Sequence, residues 1–516
     1  MLAIFAMAYG LERLFLYSFL FALIVFIIGK IVLKPPRLRI PRIGRAPNGP
    51  FGLAKARADF LIHGRQLAEE GYSKYSQSMF VVQTADMERV ILSAKYADEL
   101  RTYPTDVLSS VDAQCERHLA SWNTLDVVRR SNLHVDVTRV QLSRHLGRMA
   151  RDLQDEVEHA LSSELGPCTT GIEDYYYVAA HTISLKVVSR TVNRALVGLP
   201  LCRDDRWFET SMGYMADAFT ISGALRPRPH VLRYFVYPFL GARLRIRKHL
   251  AVANRLLAPV IQQRVPKDTT HNDVLQWMID DARGRDRDPQ ELAHKTLFLC
   301  LASMSSSTMG IVHALYDLCA MPEFIEPLRE EIRGALSEEG GWTLAMIQRL
   351  KKLDSFLKES QRINHPGLFS FNRKVLKPIH LSDGTVLPAD TFISMPTYSI
   401  ARDPSFYDSP NKFQPFRFYD LRQRNPEEAN RHQLTSTGPT SLAFGYGQAA
   451  CPGRAFAAVE MKMILGHLVY LYDFKFPKGQ TERPENIFMD ERIWPSRVQQ
   501  VGFRLRADTR NSLGKA

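Results

Sequence analysis

Cysteine is scarce in this chain, with six in 516 residues. So few cannot staple a chain of that length, and a disulfide scaffold is excluded. Cys115, Cys168, Cys202, Cys300, Cys319 and Cys451 form no C-x-x-C pair, which argues against a structural zinc site. Internal repeats and low-complexity stretches are absent from residue 51 onward. Charged residues are 23% against 45% hydrophobic, so the chain buries a large core and is not disordered. Acids are in the minority: 67 Lys and Arg against 54 Asp and Glu leave a net charge of +13. That excess suits a negatively charged surface, whether membrane, nucleic acid or acidic partner protein.

Charge is almost missing from residues 14–33, LFLYSFLFALIVFIIGKIVL, where Lys30 stands alone. Twenty such residues span a bilayer core at about 1.5 Å per residue, and Lys30, near one end, snorkels to the interface. The segment runs into Lys34, Arg37, Arg39, Arg42 and Arg45 rather than a small-residue cleavage site. A retained anchor over residues 1–33, with the basic side in the cytosol, is therefore expected. Five prolines and two glycines in residues 35–50 predict a stiff, non-helical linker, and residues 34–50 are assigned to it. Basic charge at a membrane surface accounts for part of the excess without nucleic acid.

Residues 51–516 read as one large, mainly helical domain. Apolar positions recur at helical spacing over 139–165 and 244–264. Asp288, Pro289 and Glu291 mark a helix start, and no proline follows until Pro322, which predicts a helix of about 32 residues, or ~48 Å. Short β signals cluster in 371–398 around a turn at Ser382, Asp383, Gly384 and Thr385. This layout leaves room for a large buried cofactor.

The most informative segment is 444–453, FGYGQAACPG. Its glycines let the backbone approach a flat object and take left-handed conformations. Cys451 stands just before an apolar helical stretch, where backbone N–H groups and the helix dipole favour a thiolate. Phe444 would shield one side.

The loop resembles the haem-binding loop of the cytochrome P-450 family, with Phe444, Gly447, Cys451 and Gly453 at the positions of F-x-x-G-x-x-x-C-x-G. The resemblance implies a P-450-like helical fold around buried haem b with a small β subdomain. It makes the Cys451 thiolate the axial iron ligand. Glu359 and Arg362 match the family's E-x-x-R, 89 residues before the cysteine, and Arg417 in FQPFRF (413–418) matches the arginine that completes its buried triad. Arg373 resembles the family's arginine reaching a haem propionate from a strand. Arg139 falls at the arginine of W-x-x-x-R, with Val135 in the tryptophan position. Ala449 occupies the place of a usual Arg or His two residues before the cysteine, so the propionates must be met elsewhere, with Arg373 and Arg139 as candidates.

In the long helix the family's acid–threonine pair is replaced by Ser305 and Ser306 within ASMSSS (302–307). A hydroxyl there still relays protons through water, which makes Ser306 and Ser305 the catalytic candidates. The stretches at 193–204, 313–332 and 381–393 resemble fungal biosynthetic members that tailor secondary metabolites, often terpenoids or meroterpenoids. An apolar pocket is expected to draw on Phe208, Phe219, Leu368, Phe369 and Trp494.

The resemblance therefore implies a monooxygenase anchored by a single span in the endoplasmic reticulum membrane, with its catalytic domain in the cytosol. It would use O2 and electrons from NADPH-cytochrome P-450 reductase to oxidise a large apolar small molecule. No nucleic-acid partner is expected. Arg454, Lys462, Arg422 and Arg424 are candidates for a basic docking face. Two alternatives stay open: a redox-neutral haem-thiolate rearrangement enzyme or dehydratase, and more remotely a non-catalytic haem carrier.

Overall fold

The computed structural model describes Tyr17 and residues 40–507, apart from 46–47, 50, 167–174 and 425. The expected anchor, nearly all of the linker before residue 40, and Cys168 lie outside the described residues.

The long helix forms as its signals predict. It spans Pro289–Ala320, and Asp288 caps it by accepting the Gln290 N–H at 2.9 Å. It is the one described helix long and apolar enough to cross a membrane. Its most apolar window is two-thirds buried against protein, so it is a core element. Around it pack Ala180–Val197, Asp205–Leu225, Gly241–Gln263, Lys351–Ile363 and Arg454–Leu471. Their apolar faces and the long helix share one contiguous core that includes Leu297, Ile311, Tyr316, Phe356 and Leu465. The expected helix near 139 begins as a π-helical turn, Val137–Leu142, and continues as an α-helix over Ser143–Leu165.

The β structure sits to one side. A six-stranded sheet runs in the order Arg42–Ile43, Met79–Gln83, Glu88–Leu92, Phe392–Met395, Ser370–Val375, Leu108–Ser109. Four of its strands precede the long helix by some two hundred residues, so the sheet holds early and late parts of the chain together. Arg42–Ile43 departs from the expected linker: it pairs in parallel with Val81 and Val82, and Ile43 is buried. The ordered domain therefore begins before residue 51, because those two residues satisfy an otherwise open sheet edge. A three-stranded sheet joins Tyr472–Lys475, Gln500–Leu505 and Tyr176–Ala179.

A second device locks the helical layer to the chain's later loops. Glu359 is fully buried, and Arg362 grips it with two bonds of 2.7 and 2.8 Å. Arg417 Nε reaches both Glu359 oxygens at 3.2 Å. One carboxylate cannot neutralise two guanidiniums. The surplus is spread over backbone carbonyls: Arg362 donates to Ala401 and Pro410, and Arg417 to Asp408, Ser409 and Lys412. The three charges fix the meander 401–417 against the helix Lys351–Ile363, just ahead of the cysteine loop.

Candidate active site

Cys451 faces a cavity of about 440 Å³ between the cysteine loop and the long helix. The loop is shaped by its glycines. Gly445 and Gly447 both adopt left-handed backbone, with φ of 71° and 73°. A Cβ on Gly447 would lie 2.5 Å from Arg101 Cβ, so only glycine fits. The turn closes when the Cys451 N–H donates to the Phe444 carbonyl at 2.7 Å. Phe444, Cys451 and Gly453 all line the cavity, and the helix Arg454–Leu471 starts immediately beyond.

The thiol itself departs from the simple expectation. Burial pushes Cys451 above the ordinary thiol range, and the Gly453 N–H and the Arg454 charge offset this only in part. Protein dipoles alone do not hold a thiolate here; a bound metal cation would complete the charge balance.

Two arginines reach the loop. Arg373 donates to its neighbour Asn372 and at 3.4 Å to the Tyr446 carbonyl. It is buried, and no carboxylate pairs with it. Its pKa is pushed down to about 10 by burial alone. Arg139 donates to the Gln448 carbonyl at 3.1 Å, but from an exposed position. A buried guanidinium without an anion is costly, and it suits a cofactor that carries carboxylate arms. With a thiol in the cavity wall and a buried cation at the loop beside it, these residues fit haem.

The long helix forms the opposite wall. Ala302 and Ser306 are exposed although mid-helix, because they face the cavity. Ser306 Oγ lies 3.5 Å from the Ala302 carbonyl, one turn back. Ser305 is not among the lining residues: one position round the helix from Ser306, it turns about 100° away. The hydroxyl of this run that meets an acid is a different one. Ser307 lines the cavity and donates at 2.8 Å to Glu460 Oε2, which comes from the helix after the cysteine loop. Glu460 is fully buried, its Oε1 has no partner, and burial pushes its pKa up to about 8 despite the Ser307 bond. The signal was present in the sequence as an acid inside the apolar run 455–471, but nothing in the sequence placed it opposite Ser307.

Of the aromatics expected to line the pocket, none touches this cavity. Leu368 and Phe369 are core, with Phe369 stacked on Phe60 at 6.2 Å, and Phe208 carries Arg190 over its ring. The lining is supplied instead by Val111, Leu125, Phe298, Leu299 and Phe456, with three histidines, His118, His134 and His313, set among them. Burial holds all three below the ordinary imidazole range, His134 at about 4. The proposed docking face also changes. Lys462 is buried and bonds the Ile347 carbonyl and Asp354, and Arg422 bonds Ala429 and Asp354. Neither is free to meet a partner.

A mainly helical domain with a cysteine loop facing a mid-helix run of small residues defines a haem-thiolate type of protein. Residues 147–501 match the family model Cytochrome P450. The cytochrome P450 monooxygenase AN1598 of Emericella nidulans is 38% identical over 85% of this chain and 82% of its own length. The cytochrome P450 monooxygenase olcJ of Penicillium canescens is 36% identical over 95% and 92%. An ent-kaurene oxidase of Gibberella fujikuroi is 31% identical over 91% and 93%. The chain belongs to the cytochrome P450 family and is a monooxygenase akin to those of fungal secondary metabolism. The family implies a haem-thiolate cofactor, a redox partner and an apolar substrate.

Proposed function

We propose that this chain is a membrane-bound monooxygenase holding haem b through Cys451 and oxidising an apolar terpenoid or meroterpenoid with electrons from NADPH-cytochrome P450 reductase. The observation that carries the reading is that one glycine-rich loop both places Cys451 against the cavity and is reached, at Tyr446, by a buried, anion-free Arg373. When bound, haem supplies the activation of dioxygen.

The chain's own residues do the rest. Cys451 would hold the haem iron through its thiolate, and Phe444 would cover the flank of that sulfur. Arg373 binds one propionate, and Arg139 is placed at the loop edge to meet the other. Ala302, Ser303 and Ser306 leave room for oxygen and substrate beside the long helix. Ser306 Oγ holds a water in the cavity, while Ser307 passes a proton between that water and the Glu460 carboxyl. The apolar lining excludes bulk water, so protons enter by that route and not at random. The substrate class is supported by relatives named for terpenoid chemistry, such as the ent-kaurene oxidases, and by the largely apolar wall.

Membrane attachment rests on residues 14–33 as the span, a basic linker from residue 34 up to the first strand at Arg42, and the remainder as catalytic domain, facing the cytosol from the endoplasmic reticulum. An apolar surface supports it: Val231, Leu232, Tyr234, Phe235 and Phe239 are all exposed on adjoining short helices, Phe239 by 89%. The test is expression in microsomes with the reductase. The reading requires a red-shifted, thiolate-type Soret band for the reduced CO complex and NADPH-dependent oxidation of a metabolite that accumulates in the deletion strain. Product formed without NADPH or O2 would overturn it.

A further inference from the structure

Beyond the serine run, three imidazole nitrogens of the described cavity wall have no partner, His118 Nδ1, His134 Nδ1 and His313 Nε2, and of these rings only His313 has a hydrogen bond that fixes its tautomer. His313 lies seven residues past Ser306 on the long helix, is 2% exposed and lines the cavity beside Ser360 and Asn364. Its Nδ1 meets Arg483 Nη2 at 2.7 Å. A guanidinium only donates, so Nδ1 must accept, and the neutral ring carries its hydrogen on Nε2. Burial and then the Arg483 charge hold the imidazole well below its usual range, in agreement with a neutral ring. That Nε2 has no partner.

The neighbours are all committed. Arg483 Nε and Ser360 Oγ both bond Asp317 at 2.5 Å. Asn364 donates to Asp317 at 3.2 Å and accepts from Asn486 at 2.9 Å. None of these can turn to satisfy His313. The free donor is fixed in tautomer and direction by Arg483, and the helix fixes its position, so it is organised before any ligand arrives. An N–H without charge selects an acceptor without charge: a carboxylate would find no free cation in this cluster, and an ammonium would meet a donor. A plain hydrocarbon would leave the buried N–H unmade, at a cost.

We propose that His313 Nε2–H anchors the substrate through a neutral acceptor oxygen, so that the metabolite is an apolar skeleton already bearing a carbonyl; this rests on the monooxygenase reading above. It follows that the reactions preceding this enzyme must already have placed an acceptor oxygen on the skeleton.

The test uses the full haem-loaded chain and two probes of one skeleton, the sesquiterpene ketone nootkatone and its parent hydrocarbon valencene. Dissociation constants are read from the ligand-induced Soret change. His313→Leu should weaken nootkatone about three- to tenfold, the worth of one neutral hydrogen bond, and change valencene by less than about twofold. His313→Gln offers an oxygen to Arg483 and an N–H to the ligand, and should restore the wild-type ratio. Should the Leu variant fail to load haem, His313→Met, which accepts weakly from Arg483 and donates nothing, gives the same comparison. Equal weakening of both probes, no weakening of either, or a wild type that does not bind the ketone would each overturn the anchor. Absence of the thiolate-type CO band in the wild type would instead strike the monooxygenase reading itself.

Discussion

Ser307 Oγ and Glu460 Oε2 meet at 2.8 Å across the junction of the long helix and the helix that follows the cysteine loop. The pair supplies a carboxyl to a helix whose own acid position holds Ser305. A proton on Glu460 is one hydroxyl away from the cavity, and burial keeps it there at neutral pH. Glu460→Gln and Ser307→Ala should therefore preserve haem content while lowering product per NADPH consumed and raising peroxide release. Loss of general acid assistance is worth about 10²–10⁴-fold. Ser306→Ala should give a similar defect through the loss of its water. Unchanged coupling in the Ser306/Ser307 double alanine variant would place proton entry elsewhere.

The same carboxyl makes a prediction about stability. Glu460 keeps its proton up to about pH 8 when folded, whereas an unfolded glutamate releases it near 4.5. Over that window the folded state binds more protons, so its contribution to stability falls as pH rises. In Glu460→Gln that contribution is gone, and the melting temperature should decline less between about pH 5 and 8 than in the wild type. Parallel wild-type and variant curves across this window would show that Glu460 is ionised when folded.

Among the described cysteines, Cys451 alone stands in a glycine turn against the cavity beneath the long helix. Cys451→Ala should abolish the thiolate-type CO band, whereas alanine at Cys202, Cys300 or Cys319 should leave it. Cys115 also touches the cavity, but burial raises its thiol to about 11, and no N–H or helix start favours its thiolate. Retention of the band in Cys451→Ala would assign the ligand to another residue.

Arg373 tests the cofactor fit from the opposite side. A buried guanidinium with no carboxylate destabilises the apoprotein and is relieved only when an anion arrives. Arg373→Met should thus raise the melting temperature of the apoprotein or leave it unchanged, while the haem-loaded variant loses its cofactor faster than wild type. Equal haem retention in the two proteins would deny the propionate contact.

Motif residues were legible because their chemistry needs several residue types at fixed spacing. Glu359, Arg362 and Arg417 could be grouped from sequence, and they meet as a buried triad. The long helix was bounded by Asp288 and Pro322 and spans the expected residues. What could not be read depends on helix rotation and on contacts between distant segments. Ser305 and Ser307 are both hydroxyls in one run; only the packing of the long helix shows which faces Glu460. Lys462 and Arg422 look like surface charges in a row of letters, yet Asp354 draws both inward. Phe208, Phe369 and Trp494 are placed in the pocket by the family resemblance, but a resemblance fixes a segment and not the direction of each ring, and core packing uses aromatics just as readily.

The last prediction concerns the N-terminus. Every cofactor-facing residue named above lies at or beyond residue 139, and the first described strand begins at Arg42. Removing residues 1–33 therefore takes away none of the described strands, no described residue of the cavity wall and no member of the Glu359 triad. The truncated protein should fold, bind haem and shift from the membrane fraction toward the soluble one. The shift should be incomplete, because Phe235, Phe239 and their neighbours present apolar surface that stays on the catalytic domain. High salt should release part of the remainder if the basic residues between 34 and 45 hold anionic lipid. Adding Phe235→Ser and Phe239→Ser to the truncation should release more, with the CO band intact. If the truncated chain lost haem altogether, the anchor and catalytic domain would not be independent units, and the division at residue 34 would have to be abandoned. If it stayed wholly in the membrane fraction, residues 14–33 would not be the principal attachment.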